Sequence, residues 1–158
     1  MSAGSSQSSQ IHAVITSTVN ATSGADENSP THLADPLLQT LREAGADDPE
    51  YVDLIATIRN GFPSSLDILE PQIRNFWKLR SELLTDEGLV LYRHRIVIPR
   101  SQRPDILARL HSSHQGIDRT KRRARQTVYW PGMTSDVTNT VRRCTNCQGS
   151  YQVYQRSQ

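Results

Sequence analysis

Two pairs of side chains constrain this chain more than anything else in it. They are His111-Ser112-Ser113-His114 and Cys144-Thr145-Asn146-Cys147, with residues 115–143 between them. Two imidazoles and two thiolates make up the donor set of a closed tetrahedral zinc site. Two intervening residues let both members of a pair turn toward one ion. Four protein ligands leave no open coordination position, so such a site staples structure together and activates no water. A Cys-x-x-Cys can also be a redox pair, but the thioredoxin type follows a strand in a βαβ unit. Here the pair follows a polar helical segment. His12, His32 and His94 have no partner nearby in the sequence and read as ordinary histidines.

Size and charge point the same way. Among 158 residues, 35% are hydrophobic and only two are cysteines, so a disulfide scaffold is excluded. Residues 1–92 hold 5 Lys/Arg against 13 Asp/Glu, whereas residues 93–158 hold 13 against 3. An acidic half is thus joined to a basic half, and the basic half suits a polyanion. That half has few large apolar side chains, and domains so small often need a metal staple. Zinc binding and folding of residues 93–150 are therefore expected to be one event. No stretch approaches the roughly 20 apolar residues of a membrane span. The start, MSAGSSQSSQ, lacks a basic cluster, and Ile11–Val19 is too short and Thr/Ser-rich for a secretory core.

Residues 1–33 are Ser-, Thr-, Ala-, Asn- and Gln-rich and read as a disordered tail. Asp35-Pro36 and Asp48-Pro49 each place an N-cap before a proline at the first helical position. Leu37, Leu38 and Leu41 follow the first, and Tyr51, Val52, Leu54, Ile55 and Ile58 follow the second, ending at Gly61. A less regular helix is predicted over 66–83, interrupted at Pro71, burying Ile73, Phe76, Trp77 and Leu79. Leu89–Tyr92 and Ile96–Ile98 flank Arg93-His94-Arg95 as a tight hairpin ended by Pro99. A helix at Ile106–Leu110, a basic helix capped by Asp118, an extended Val128–Trp130 with a Pro131-Gly132 turn, and a last helix capped by Thr134 or Ser135 complete the chain. Trp130 is expected to buttress the core, alongside Ile106, Leu110, Ile117, Ala124, Val137 and Val141.

Leu110–His114, Gly116-Ile117, Lys121, Arg123–Arg125, Val128–Met133, Val141 and Cys144–Gln148 together resemble the integrase zinc-binding domain, the His-His-Cys-Cys module of retroviral and gypsy-class LTR retrotransposon integrases. Upstream, Gly61–Pro63, Phe76-Trp77, Arg80, Glu82-Leu83, Asp86–Tyr92 and Arg95–Pro99 resemble the segment joining RNase H to integrase in gypsy-type Pol polyproteins. The resemblance implies a mainly α fold: a helical connector (34–83), a short β-hairpin (84–99), a small zinc-stapled helical domain (100–150) and a tail (151–158). It implies one structural zinc held by His111, His114, Cys144 and Cys147. It also implies DNA, other integrase subunits and a homo-oligomeric assembly as partners, with no membrane or small-molecule partner. The RNase H body and the integrase catalytic core have no counterpart here, so a binding module is expected rather than an enzyme, intracellular, nuclear where functional and otherwise cytoplasmic.

The basic cluster is the candidate nucleic-acid surface: Arg119, Lys121, Arg122, Arg123 and Arg125, with Arg142 and Arg143 later. Helical geometry puts 119, 122, 123 and 126 on one face, with 121 and 125 alongside. Such side chains grip phosphates without reading sequence. The three acids of this half, Asp105, Asp118 and Asp136, all fall at helix starts, where capping and the helix dipole account for them. A competing reading is a host-adopted, zinc-dependent protein-interaction module without DNA binding. A third, a thiol redox protein, requires the cysteines to cycle without metal.

Overall fold

A computed structural model describes residues 36–149 of the chain. Asp35, the tail up to residue 33 with His12 and His32, and the tail from 151 lie outside the described residues. The fold is mainly α, with one small sheet. Helix α1 spans Pro36–Ala46 and α2 spans Pro49–Asn60. The expected start of α2 is present: Asp48 accepts hydrogen bonds from the Glu50 and Tyr51 amides, at 3.1 and 3.4 Å, and Gly61 closes the helix at φ 92°.

The irregular helix forms as two 3-10 segments, Leu66–Ile68 and Pro71–Glu82, rather than one α-helix. With three residues per turn, positions i and i+3 eclipse. Ile73 and Phe76 therefore stack in one buried column, with Leu79 half-buried above them. Trp77 lies half-buried beside the column, donating its indole N–H to the Pro63 carbonyl at 3.2 Å and covered by the Arg80 guanidinium at 3.8 Å.

The expected hairpin is present as β2 (Leu89–Tyr92) and β3 (Arg95–Val97), joined at Arg93-His94. Two further strands extend it. Strand β1 (Leu83–Asp86) pairs antiparallel with β2 across Glu87-Gly88, both at positive φ (47° and 79°), the pattern of a tight hairpin turn. Strand β4 (Val128–Tyr129) pairs parallel with β3, giving the order β1-β2-β3-β4.

Tyr51 of α2 decides where β2 and β3 part. In their register, Val90 faces Val97 one step beyond the Leu91–Ile96 pair. The Tyr51 hydroxyl enters there. It accepts from the Val90 N–H and donates to the Val97 carbonyl, both at 2.8 Å. The released strand then meets β4, with the Ile98 amide bonding to the Tyr129 carbonyl at 3.0 Å. The ring of Tyr51 also fixes Gly45: a Cβ at that position would lie 2.7 Å from it.

Helices α3 (Arg103–Leu110), α4 (Ile117–Thr127) and α5 (Met133–Arg143) pack on the other face of the sheet. Their core unites Ile106, Leu110, Ala124, Trp130, Met133 and Val137 with Leu89, Leu91 and Ile96 of the strands and with Leu38 and Leu41 of α1. Of the core residues expected in the basic half, only Ile117 is half-buried rather than buried, as Trp77 and Leu79 are in the acidic half. Acidic and basic halves are also joined by charge. Arg100 and Arg103 of the basic half both reach Glu50 of the acidic half, at 2.6 and 3.3 Å. Glu50 and Arg103 are only 12% and 17% exposed, so that pair is screened less than an open surface bridge.

Helix starts differ from expectation in two places. Asp118 sits inside the first turn of α4, whose N-cap is Gly116. Helix α5 begins at Met133 after Gly132, not after Thr134 or Ser135. Pro131-Gly132 makes a type II turn, closed by the Met133 amide on the Trp130 carbonyl at 3.1 Å, and Gly132 at φ 82° supplies its left-handed position. Asp136 is turned away from any cap and accepts from the Trp130 indole N–H at 2.8 Å.

Tyr51→Phe removes only the bridging hydroxyl and leaves two buried backbone groups unpaired, which costs about 1–3 kcal/mol. Urea denaturation of the zinc-loaded variant should report that loss; an unchanged midpoint would mean a direct Val90–Val97 bond replaces the bridge. Burial first, and Asp48 in addition, push the Tyr51 phenol far above its ordinary value of 10.0, against the lowering effect of the Val90 hydrogen bond. Only the unfolded chain ionises near that pH. Wild-type stability should therefore fall as pH rises above about 10, and Y51F should lack that component.

Candidate metal centre and nucleic-acid interface

The four residues of the opening motif meet at one point. His111 is the C-terminal cap of α3, and Cys144 is the C-terminal cap of α5. His114 follows within a turn, held by its amide on the His111 carbonyl at 2.9 Å and a positive φ of 49°. Cys147 lies in the helical turn over residues 145–149. One ligand atom from each residue lies within 4.8 Å of the other three. Cys144 Sγ is 3.3 Å from His114 Nδ1, Cys147 Sγ is 3.3 Å from His111 Nε2, and Cys147 Sγ is 4.0 Å from His114 Nδ1. Bonds of about 2.1 Å to nitrogen and 2.3 Å to sulfur in a tetrahedron require ligand separations of roughly 3.5 Å. The donor set and its spacing fit one structural zinc ion.

Local electrostatics suit that ion. Burial, and then the neighbouring His114, hold the His111 imidazole below its ordinary value, which favours the neutral ring that a metal takes. The backbone N–H of Cys147, with that of Asn146 in addition, lowers the Cys144 thiol. Cys147 is pushed the other way, first by burial and then by Cys144 itself. Two thiolates this close repel, and a divalent cation between them removes that repulsion. Both Cys144 and His111 terminate helices, whose negative dipole ends also favour a cation. His111 would hold the ion through Nε2, which faces Cys147 and would leave the proton on Nδ1; that atom is buried without a hydrogen-bond partner among the described residues.

The candidate phosphate-binding side chains fall into two groups. Helix α4 buries a narrow stripe of Thr120, Ala124 and Thr127. Arg119, Arg122 and Arg125 are exposed around it, while Lys121 and Arg123 are half-buried at its flanks. Lys121, Arg122 and Arg125 share one shallow concavity with Asp118 and Gln126. Arg142 and Arg143 are exposed in the last turn of α5, where they complement the helix C-terminus. Arg143 lines a different hollow, beside Cys144 and Leu107. Sequence reasoning passed over Arg95. It belongs to β3 rather than to the hairpin loop, and its guanidinium lies 4.5 Å over Tyr92 and 5.4 Å from the Tyr129 ring. Alternation along the strand was its only sequence signal.

Chelation should act locally, because α2, the 3-10 segments and one face of the sheet have their own buried core. In hydrogen exchange, zinc removal should strip protection from the end of α3, residues 111–117 and residues 144–149. Strands β2 and β3 should keep theirs. Structural zinc contributes on the order of 10 kcal/mol in small modules, so unaltered exchange at those residues in chelated protein would rule out a structural ion.

Residues 98–151 match the integrase zinc-binding domain. An uncharacterized protein of Caenorhabditis elegans is 33% identical over 119 residues, which cover 72% of this chain and 9% of that protein. The Pro-Pol polyprotein of Simian foamy virus type 3 is 35% identical over 54 residues, covering 34% of this chain and 5% of the polyprotein. The chain thus spans less than a tenth of either relative, and the nematode match extends beyond the zinc domain alone. No solved structure matches the chain. The His-His-Cys-Cys cluster lies inside the matched segment and its donors fit a structural zinc, so residues 98–151 of the chain are an integrase zinc-binding domain.

Proposed function

We propose that this chain is the zinc-stapled, nucleic-acid-binding module of a gypsy-class retrotransposon integrase. It grips element-end DNA by its backbone, contacts other integrase subunits, including further copies of itself, and acts in the nucleus, where integration takes place. Strand transfer is left to a separate catalytic domain.

One observation carries this reading: the unequal fate of the basic side chains. Arg42, Arg93, Arg100, Arg103 and Arg109 each make an ion pair with a carboxylate. Arg119, Lys121, Arg122 and Arg125 make none among the described residues, although they crowd one helix. Like charges on adjacent turns destabilise a helix slightly, and a polyanion relieves them. Catalysis has no comparable support. Polynucleotidyl transfer needs carboxylates converging on divalent ions. Asp105 pairs with Arg109, Asp136 serves Trp130, and Asp118 faces the basic concavity.

Fluorescence anisotropy with labelled duplex DNA tests the reading. If four phosphates are neutralised, log affinity falls against log salt with a slope near −3.6. Replacing Arg119, Lys121 and Arg122 by Gln should flatten that slope by up to about 2.7. Absence of low-salt binding, with salt-insensitive self-association instead, would favour a protein-interaction module. The same protein, given element-end DNA and magnesium or manganese, should yield no joined or nicked product; a product lost on changing Asp105, Asp118 or Asp136 would overturn the division of labour.

A further inference from the structure

A second cationic feature adjoins the concavity of α4 and shares Arg125 with it. Arg95 of β3 and Arg125 of α4 enter one solvent-open hollow of about 340 Å³, walled by Tyr129 and by Thr134 and Ser135 in the first turn of α5. Arg95 is half-buried and makes no ion pair among the described residues. Its guanidinium is instead held against two rings, 4.5 Å from Tyr92 and 5.4 Å from Tyr129. Those rings brace each other edge to face at 4.9 Å, and Phe76 braces Tyr129 at 6.3 Å. An arginine stacked this way is partly desolvated and already ordered, so it loses little freedom on meeting an anion. Asp136, the acid of that turn, is taken by the Trp130 indole, Glu82, which also senses Arg95, is paired with Arg93, and no acidic residue lines the hollow.

We propose that Arg95 and Arg125 form a clamp for a single phosphodiester of bound nucleic acid. The clamp rests on the nucleic-acid-binding reading above and adds to it a residue from a different element. Two guanidinia from a strand and a helix approach one phosphate from two sides, and planar forks suit its oxygens. The chain thereby gains a fixed point of register, where the α4 cluster alone would give only diffuse attraction.

The test uses the zinc-loaded full chain and a labelled duplex of about 20 base pairs, with salt titrations as before. Arg95→Gln and Arg125→Gln should each weaken binding roughly three- to ten-fold. The double variant should be weaker than either single one by less than the product of their effects, with a slope flatter by about 0.9, one phosphate's share. Arg59→Gln, an exposed change of equal charge on α2, should leave binding unaltered. Arg125 is exposed and unpaired, so R125Q keeps the test intact if R95Q loosens the aromatic packing, which thermal melting would report. Multiplying penalties would mean two separate phosphates and would overturn the clamp. Unaltered binding in R95Q and R125Q, with the Arg119/Lys121/Arg122 variant still impaired, would remove the clamp and leave the module. A wild-type chain that binds no duplex would remove both.

Discussion

Two helix C-termini have to meet for the zinc end of this molecule to take its folded form. Helices α3 and α5 end at His111 and Cys144, whose side chains share one small volume with those of His114 and Cys147. Without a cation that convergence is unfavourable on every count, since it brings together negative dipole ends and ionisable thiols. With a structural zinc the same features become attractive. The rest of the basic half is arranged to deliver those ends. Trp130 and the turn at Pro131-Gly132 set the start of α5, and the stripe of Thr120, Ala124 and Thr127 sets the tilt of α4 against it.

The metal does not act alone. The connector is built into the domain through polar and apolar ties together. Leu38 and Leu41 complete the core around Trp130, Glu50 receives Arg100 and Arg103, and Asp48 uses its second oxygen on the Arg100 amide at 2.8 Å. The charge asymmetry of the sequence thus has two outlets. Part of it is settled internally, between the acidic helices and the arginines that follow the hairpin. The remainder stands outward on α4 and around Arg95.

Legibility followed the range of the interaction. The four zinc donors were readable because their chemistry lies in residue type and short spacing. Helices α1 and α2 were readable from proline and, for α2, its aspartate cap. The 3-10 form of Pro71–Glu82 was not, because Ile73 and Phe76 at a spacing of three suit either helix type. Strand β1 is short and half polar, and β4 has two residues; both depend on partners distant in the chain. The cap given to Asp118, and the caps given to Thr134 and Ser135, failed because glycines at 116 and 132 took those positions. Arg95 escaped notice because the tyrosines that hold it come from two strands, one of them 34 residues on.

The contact between Gly45 and the Tyr51 ring reaches beyond local packing. A side chain at position 45 would displace the ring, and a smaller residue at 51 would make room but forfeit the hydroxyl that separates β2 from β3. Positions 45 and 51 are therefore sterically coupled, and enlarging the first requires another way to end the ladder between those strands.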